Sequence, residues 1–230
     1  MELTPPIREL NLAGAWRLVP SLYPSRGILD AVASPADLPA ILELETWSKD
    51  RISSELGALH RIPMREWVAG RPMASAIMAA FCHPRPTGGR FNSSERGAWY
   101  AANSLEAAHA EVVYHRTLEL AEIGVFETRV QMRLYLADFH AMFHDVRANV
   151  PENNPYHDPT SYTASQALAR GLLADGSNGV IYRSVRHYAR GSQCLACFRP
   201  SLVANVRIAA HFEYGWQGTR APHIRLLKAR

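Results

Sequence analysis

The stretch Gly88–Glu111, GGRFNSSERGAWYAANSLEAAHAE, reads as turn, strand and helix in quick succession. Thr87-Gly88-Gly89 opens a short strand at Arg90-Phe91, and the polar run Asn92–Gly97 turns the chain. Ala98–Ala101 is a second short strand. Asn103 is placed to cap a helix running to about Leu120, with Glu106 three residues on, as in a capping box. Paired glycines permit close backbone approach or unusual dihedrals. An arginine directly after them can offer its planar fork to a phosphate. The plain alternative is a hairpin turn carrying a solvated arginine. Tyr100 has a ring that can stack on a ligand or fill a core.

Outward from this stretch, strands and helices alternate without a regular βαβ rhythm. Gly124 closes the helix. Phe126, Thr128, Val130, Met132 and Leu134 then alternate with charged and polar residues, the clearest period-two pattern in the chain. Asn149–Pro159 is a loop, and Ser165–Ala174 a helix closed by Gly176. Three strands follow, Gly179–Ser184, Cys194–Arg199 and Leu202–Ile208. Upstream, Trp16–Leu22 is a strand. Asp37 caps a helix that takes Leu38, Ile41, Leu42 and Leu44, continues through Trp47 and Ile52, and stops at Gly57. A second helix covers Pro72–Phe81. The sum is an α+β fold with mainly antiparallel pairing. No repeat or linker interrupts it, so residues 1–230 are expected to form one domain with a helical insert at about 31–83.

Composition agrees with a globular chain: 230 residues, 47% hydrophobic and 20% charged. No apolar run approaches the roughly 18 residues of a membrane span. Met1–Pro6 lacks a basic segment followed by an apolar core, so the expected location is cytoplasmic. The net charge of +4 comes mostly from arginine. These residues are scattered among acids, with no basic block, so nucleic-acid binding is not expected and a phosphate-bearing small molecule suits equally well. Three cysteines, Cys82, Cys194 and Cys197, form no disulfide framework.

Several residues could carry chemistry. Glu111 edges the small-residue side of its helix, where a carboxylate can point into a cleft or simply face solvent. His109 and His115 flank it. Ser184 ends an apolar strand between Arg183 and Arg186. No Gly-x-Ser-x-Gly surrounds Ser184, so nucleophilic hydrolase chemistry is unsupported. The glycine turn lacks the lysine of a P-loop. Cys194 and Cys197 have no second ligand pair, and on a strand they would face opposite sides. His140 and His144 would share a helical face, but they lack the metalloprotease glutamate. No metal is expected.

Taken in order, Trp16-Arg17-Leu18-Val19-Pro20, Gly88-Gly89-Arg90-Phe91-Asn92, Tyr100-Ala101-Ala102, Ala110-Glu111-Val112 with Tyr114-His115, and Gly179-Val180-Ile181-Tyr182-Arg183-Ser184 resemble the RES-domain family, and its longer branch in particular. The resemblance spans roughly Trp16–Phe198. It implies a fold similar to ADP-ribosyltransferase toxins, with two packed, mainly antiparallel sheets around an NAD cleft and helices outside. It implies the toxin of a toxin–antitoxin module that cleaves NAD by hydrolysis or phosphorolysis, or transfers ADP-ribose to a protein target. It further implies a cognate antitoxin with an Xre-like helix-turn-helix. Under it, Glu111, Arg90 and Ser184 are the catalytic candidates, and Arg17, Arg90, Tyr100 and Ser184 hold NAD. The competing readings are a catalytically idle binding protein of the same fold and a basic nucleic-acid-associated protein.

Overall fold

The computed structural model describes residues 4–31, 35–37, 58–147 and 154–229. Its strands are β1 (Ile7–Pro20), β2 (Trp99–Ala102), β3 (Glu127–Asp145), β4 (Gly179–Arg183), β5 (Gln193–Cys197), β6 (Ala204–Gln217) and β7 (His223–Ala229). Its helices are the single turn α1 (Ile28–Ala31), then α2 (Ala74–Cys82), α3 (Leu105–Ile123) and α4 (Thr163–Ala174). The strands run β1-β2-β5-β4-β3-β6-β7, and β1 also pairs with β3. That extra pairing closes β1, β2, β5, β4 and β3 on one another, while β3, β6 and β7 extend from the closed part as an open wing. The expected pair of sheets is therefore one hydrogen-bonded network with β3 common to both parts. All pairings are antiparallel except β3–β4. The α+β class is as expected.

The long strand β3 shows how one sequence serves two cores. Its first half buries Met132 and Leu134, with Val130 beside them, against α3, Phe212, Tyr214 and Trp216. Its second half buries Tyr135, Ala137, Phe139 and Phe143 against α2 and β1. Alternate residues point to opposite faces, so the dry face switches from even to odd positions between Leu134 and Tyr135. The register against β6 shifts at the same point. On β1 a bulge between Leu12 and Ala15 bends the strand. Asp138 holds that bulge, accepting from the Gly14 amide at 2.7 Å.

The strands β2, β5 and β4 are buried on both faces. Trp99, Ala101, Leu195, Cys197 and Ile181 face the core beneath α2. Ala102, Cys194, Ala196, Val180 and Tyr182 face a second core with α3 and α4. Cys194 and Cys197 thus point to opposite sides, and all three cysteines are free and buried. Burial pushes the thiols of Cys82, Cys194 and Cys197 up to about 12.

Several boundaries differ from the sequence reading. Arg90-Phe91 is not a strand: Gly89 and Asn92 make an isolated bridge across a tight turn. Ser104, not Asn103, caps α3, its side chain accepting from the Ala107 amide at 3.2 Å. Asn103 instead clamps the start of β5, donating to Gly191 O and accepting from Gln193 N. His140 and His144 lie on β3, so no helical clamp exists. His144 pairs with Ser177 at 2.8 Å, and His140 approaches Glu9. β1 starts nine residues before Trp16, β6 runs on to Gln217, and β7 was not expected. The helix expected from Asp37 through Leu38, Ile41, Leu42, Leu44, Trp47 and Ile52 to Gly57 lies almost wholly outside the described residues. Within the described part of the insert, short 3-10 turns precede α2.

Candidate active site

The glycine turn is a built object. Gly88 sits at φ +74°, and a Cβ there would lie 2.3 Å from Asn92 O. A Cβ on Gly89 would lie 2.5 Å from Asn92 Oδ1 and 2.8 Å from the Tyr100 hydroxyl. That hydroxyl accepts from the Phe91 amide at 2.8 Å and donates to Asn92 Oδ1 at 2.8 Å. Tyr100 therefore ties β2 to the turn, and burial holds its phenol well above the usual range. From the other side, Gln166 of α4 donates to Thr87 O at 3.0 Å and Gly89 O at 2.9 Å.

The turn delivers Arg90, only 6% exposed. Its Nη1 donates to Tyr156 O at 3.2 Å and Asp158 O at 2.7 Å, and its guanidinium lies 4.6 Å over the Tyr162 ring. Its Nη2 is buried without a partner among the described residues. Arg17 stands one layer behind. It donates to Tyr100 O at 3.0 Å and stacks 4.7 Å over Trp99. Burial lowers its guanidinium to about 10, so it stays charged.

Glu111 projects from α3 and accepts a 3.2 Å hydrogen bond from Ser184 Oγ. This contact joins the helix to the loop after β4. Burial raises the Glu111 carboxyl, against the opposing pull of Arg186, the Ser184 hydrogen bond and Arg90. Ser184 is 5% exposed, and its Oγ also accepts from the His187 amide at 3.1 Å. The loop backbone therefore aims the hydroxyl.

The structure thus brings Glu111 and Ser184 into direct contact and puts Arg90 within electrostatic reach of both Glu111 and Tyr100. Arg17 reaches the group only through Tyr100 and Trp99. Three further residues belong to the neighbourhood. Arg186 lies 3.3 Å over the Tyr114 ring and donates to Pro159 O, while its Nε is buried and unpartnered among the described residues. His157 accepts from the Arg183 amide at 3.0 Å through Nε2, which leaves the ring proton on Nδ1, also buried and unpartnered there. Burial, then Arg90 and Arg183, lower His157 to about 4, so it is neutral. His115 lies 4.0 Å from Glu111, accepts from Arg85 through Nδ1 at 3.3 Å, and is lowered to about 4 by burial and four arginines. Sequence reading flagged Arg186 only as a flank of Ser184. His157 sat in a segment read simply as loop, and Gln166 carried no signal.

Chemically, the group offers a partly buried carboxylate, an aimed hydroxyl, two arginines and unspent N–H donors. That set suits a ligand with oxygen-rich anionic parts and a centre that becomes positive. Among the described residues no three His, Cys, Asp or Glu side chains cluster as a metal site, and no helix is long and apolar enough to cross a membrane.

Comparison with known proteins sets this geometry in a family. The curated protein y4oC of Sinorhizobium fredii, described as uncharacterized, is 26% identical over 211 residues, covering 89% of this chain and 84% of its own length. The solved M. tuberculosis MbcT–MbcA toxin–antitoxin complex contains a chain that is 17% identical, with a TM-score of 0.42, covering 56% of this chain and 73% of that one. The profile of the RES domain matches residues 58–217, which takes in Arg90, Tyr100, Glu111 and Ser184. The protein belongs to the RES-domain family.

Proposed function

We propose that this chain is the toxin of a toxin–antitoxin module and that it breaks the nicotinamide–ribose bond of NAD. The observation that carries the reading is the Glu111–Ser184 contact, a partly buried carboxylate held by one hydroxyl beside arginines with unspent donors. In the reaction, the C1′–N electron pair leaves with nicotinamide, which departs neutral. No strong general acid is needed. The ribose passes through an oxocarbenium-like state, so the site must place negative charge beside C1′ and positive charge on the pyrophosphate.

The residues divide the work accordingly. Glu111 accepts from a ribose hydroxyl and stabilises the cationic sugar. Ser184 donates to the ribose or the carboxamide. Arg90 takes the pyrophosphate, with Arg17 behind it as the second candidate. The Tyr100 ring stacks on nicotinamide, its hydroxyl already committed to the turn. The freed C1′ is then captured by an oxygen of water or phosphate, or by a side chain of a protein target. In this reading the chain works in the cytoplasm as one domain over residues 1–230 and is silenced by an antitoxin with an Xre-like helix-turn-helix; membership of the RES-domain family supports the toxin part of it.

The test is nicotinamide release by purified chain, with and without phosphate, and with Glu111→Gln as control. Release that disappears in the variant supports the reading, and the ADP-ribose product names the acceptor. Unchanged release by Glu111→Gln removes Glu111 from the mechanism. Expression of the chain alone should arrest growth and lower cellular NAD. Growth with normal NAD would remove the toxin assignment.

A further inference from the structure

A second basic site opens where β3 and β4 end and β5 begins. Its cavity has a volume of about 630 Å³, within the range that takes a small ligand. Arg8, Arg147, Arg183 and Arg190 line it, and among the described residues the one lining carboxylate is that of Asp145. That carboxylate is 2% exposed and grips Arg147 in a fork: Nε to Oδ1 at 2.9 Å and Nη2 to Oδ2 at 2.9 Å. Arg8 Nε adds a contact to Oδ2 at 3.2 Å. Gln193 Oε1 accepts from Arg147 Nη1. The hydrogen bonds from Arg147 outweigh burial and hold Asp145 below the usual carboxylate range, so it is ionised at neutral pH.

One carboxylate cannot neutralise four guanidiniums. Asp145 engages Arg8 and Arg147, while the exposed side chains of Arg183 and Arg190 have no acidic partner among the described residues. Natural surfaces scatter such charges among acids, so a concave concentration of one sign draws anions. Arginine forks match phosphate oxygens two at a time. Beside them stands Tyr188, 84% exposed, an aromatic face with nothing covering it. Exposed rings next to arginines stack on planar heterocycles.

We propose that this cavity binds a phosphorylated small molecule of nucleoside-monophosphate size, with the phosphate on Arg183 and Arg190 and the ring on Tyr188. The site is separate in its residues from the arginine at the glycine turn. It adjoins the candidate active site along the loop after β4: Ser184 lines the cavity and its Oγ touches Glu111, and the amides of the lining residues Arg183 and His187 donate to His157 and to Ser184 Oγ. A ligand there would press on the loop that aims Ser184.

The experiment is calorimetric titration of the full chain with AMP and with inorganic phosphate. It is repeated for Arg183→Gln/Arg190→Gln, Tyr188→Ala, Arg90→Gln and Glu111→Gln. A binding event for AMP is expected that weakens at least tenfold in the double variant and persists in Arg90→Gln and Glu111→Gln. Tyr188→Ala should bring AMP down to the affinity of inorganic phosphate. Absence of any such event overturns the proposal. So does an AMP event that is lost in Arg90→Gln or Glu111→Gln but retained in the double variant. Arg183, Tyr188 and Arg190 are exposed, and circular dichroism of every variant, with Arg190→Glu as a second cavity variant, separates lost binding from lost folding. The readout is heat, so the result stands whether or not NAD is cleaved.

Discussion

Two carboxylates in this molecule, the buried Glu66 and the partly buried Glu111, meet arginines in opposite ways. Glu66 sits in a closed clamp. Arg96 Nη2 reaches Oε2 at 2.5 Å, and Arg199 Nη1 reaches Oε1 at 2.7 Å. Arg96 also donates to Phe198 O, and Arg199 to Ser177 O. Glu111 receives one hydroxyl at 3.2 Å and an imidazole at 4.0 Å. Its arginines are held elsewhere, Arg90 by the carbonyls of Tyr156 and Asp158 and Arg186 by that of Pro159. A carboxylate whose lone pairs are filled by guanidinium is a joint. One left short of partners beside charge that is tethered away is available to a substrate. Burial raises Glu111 because nothing in the free protein compensates it fully.

The largest test of this contrast is Glu111→Gln. Turnover of NAD should fall on the order of 10³-fold, the scale of losing one preorganised electrostatic group. Stability should not fall with it. A raised folded-state pKa means that ionised Glu111 works against the fold as pH rises through that pKa, so an uncharged amide should leave the melting temperature level or slightly higher. The acid limb of kcat/KM should also lie above the ordinary carboxylate range, because Glu111 must be ionised to act. It should vanish in the residual activity of the Gln variant. A limb at an ordinary carboxylate value would remove the burial argument.

Glu66→Ala should do the reverse. It strands two guanidiniums in a buried site, which costs about 3–5 kcal/mol. For a chain of this size that is a drop of about 10 °C in Tm, seen by thermal denaturation. The fraction still folded should keep its kcat. If kcat fell with Tm intact, Glu66 would belong to the chemistry and the contrast would be broken.

Tyr100→Phe comes next. It deletes the hydroxyl that joins the Phe91 amide to Asn92 Oδ1, leaving both without that partner, at about 1–2 kcal/mol. If the turn presents Arg90 to substrate, KM for NAD should rise about tenfold. Equal loss in kcat alone would mean that the hydroxyl serves the chemistry and not the presentation of Arg90 by the turn.

How much of this was readable in advance follows from where each signal lives. The first half of β3 was plain, because Val130, Met132 and Leu134 alternate with solvated residues on one core. Its second half was hidden by the switch of dry face at Tyr135, which erases simple alternation. β6 ran past the expected Ile208 for a related reason, the register shift between Ile208 and Ala210, although Phe212, Tyr214 and Trp216 then alternate cleanly. β7 is an edge strand with Ile224, Leu226 and Leu227 all exposed, so burial left no pattern to find. In the site, local motifs gave Arg90 and Glu111 as candidates, but only the order of motifs across the chain suggested Ser184, whose contact with Glu111 spans 73 positions. Gln166, His157 and Arg186 act through backbone carbonyls and amides of distant segments, and side-chain spacing carries no trace of such partners.

The smallest effect is expected from Gln166→Ala, and it probes the same tethering from behind. Gln166 Nε2 satisfies Thr87 O and Gly89 O, two carbonyls of the turn that precede Arg90. Both lie near the surface, where water can replace the amide, so the loss should be about 1 kcal/mol or less. Its consequence should be geometric. With α4 no longer pinning the turn, Arg90 should spend less time in its bound position, and KM for NAD should rise a few-fold at nearly constant kcat. Combined with Tyr100→Phe, the two losses should not add, because both act on one short turn. Strict additivity in the double variant would mean that Tyr100 and Gln166 serve different structures, and the turn would then be a passive connection that holds no charge in reserve for Glu111.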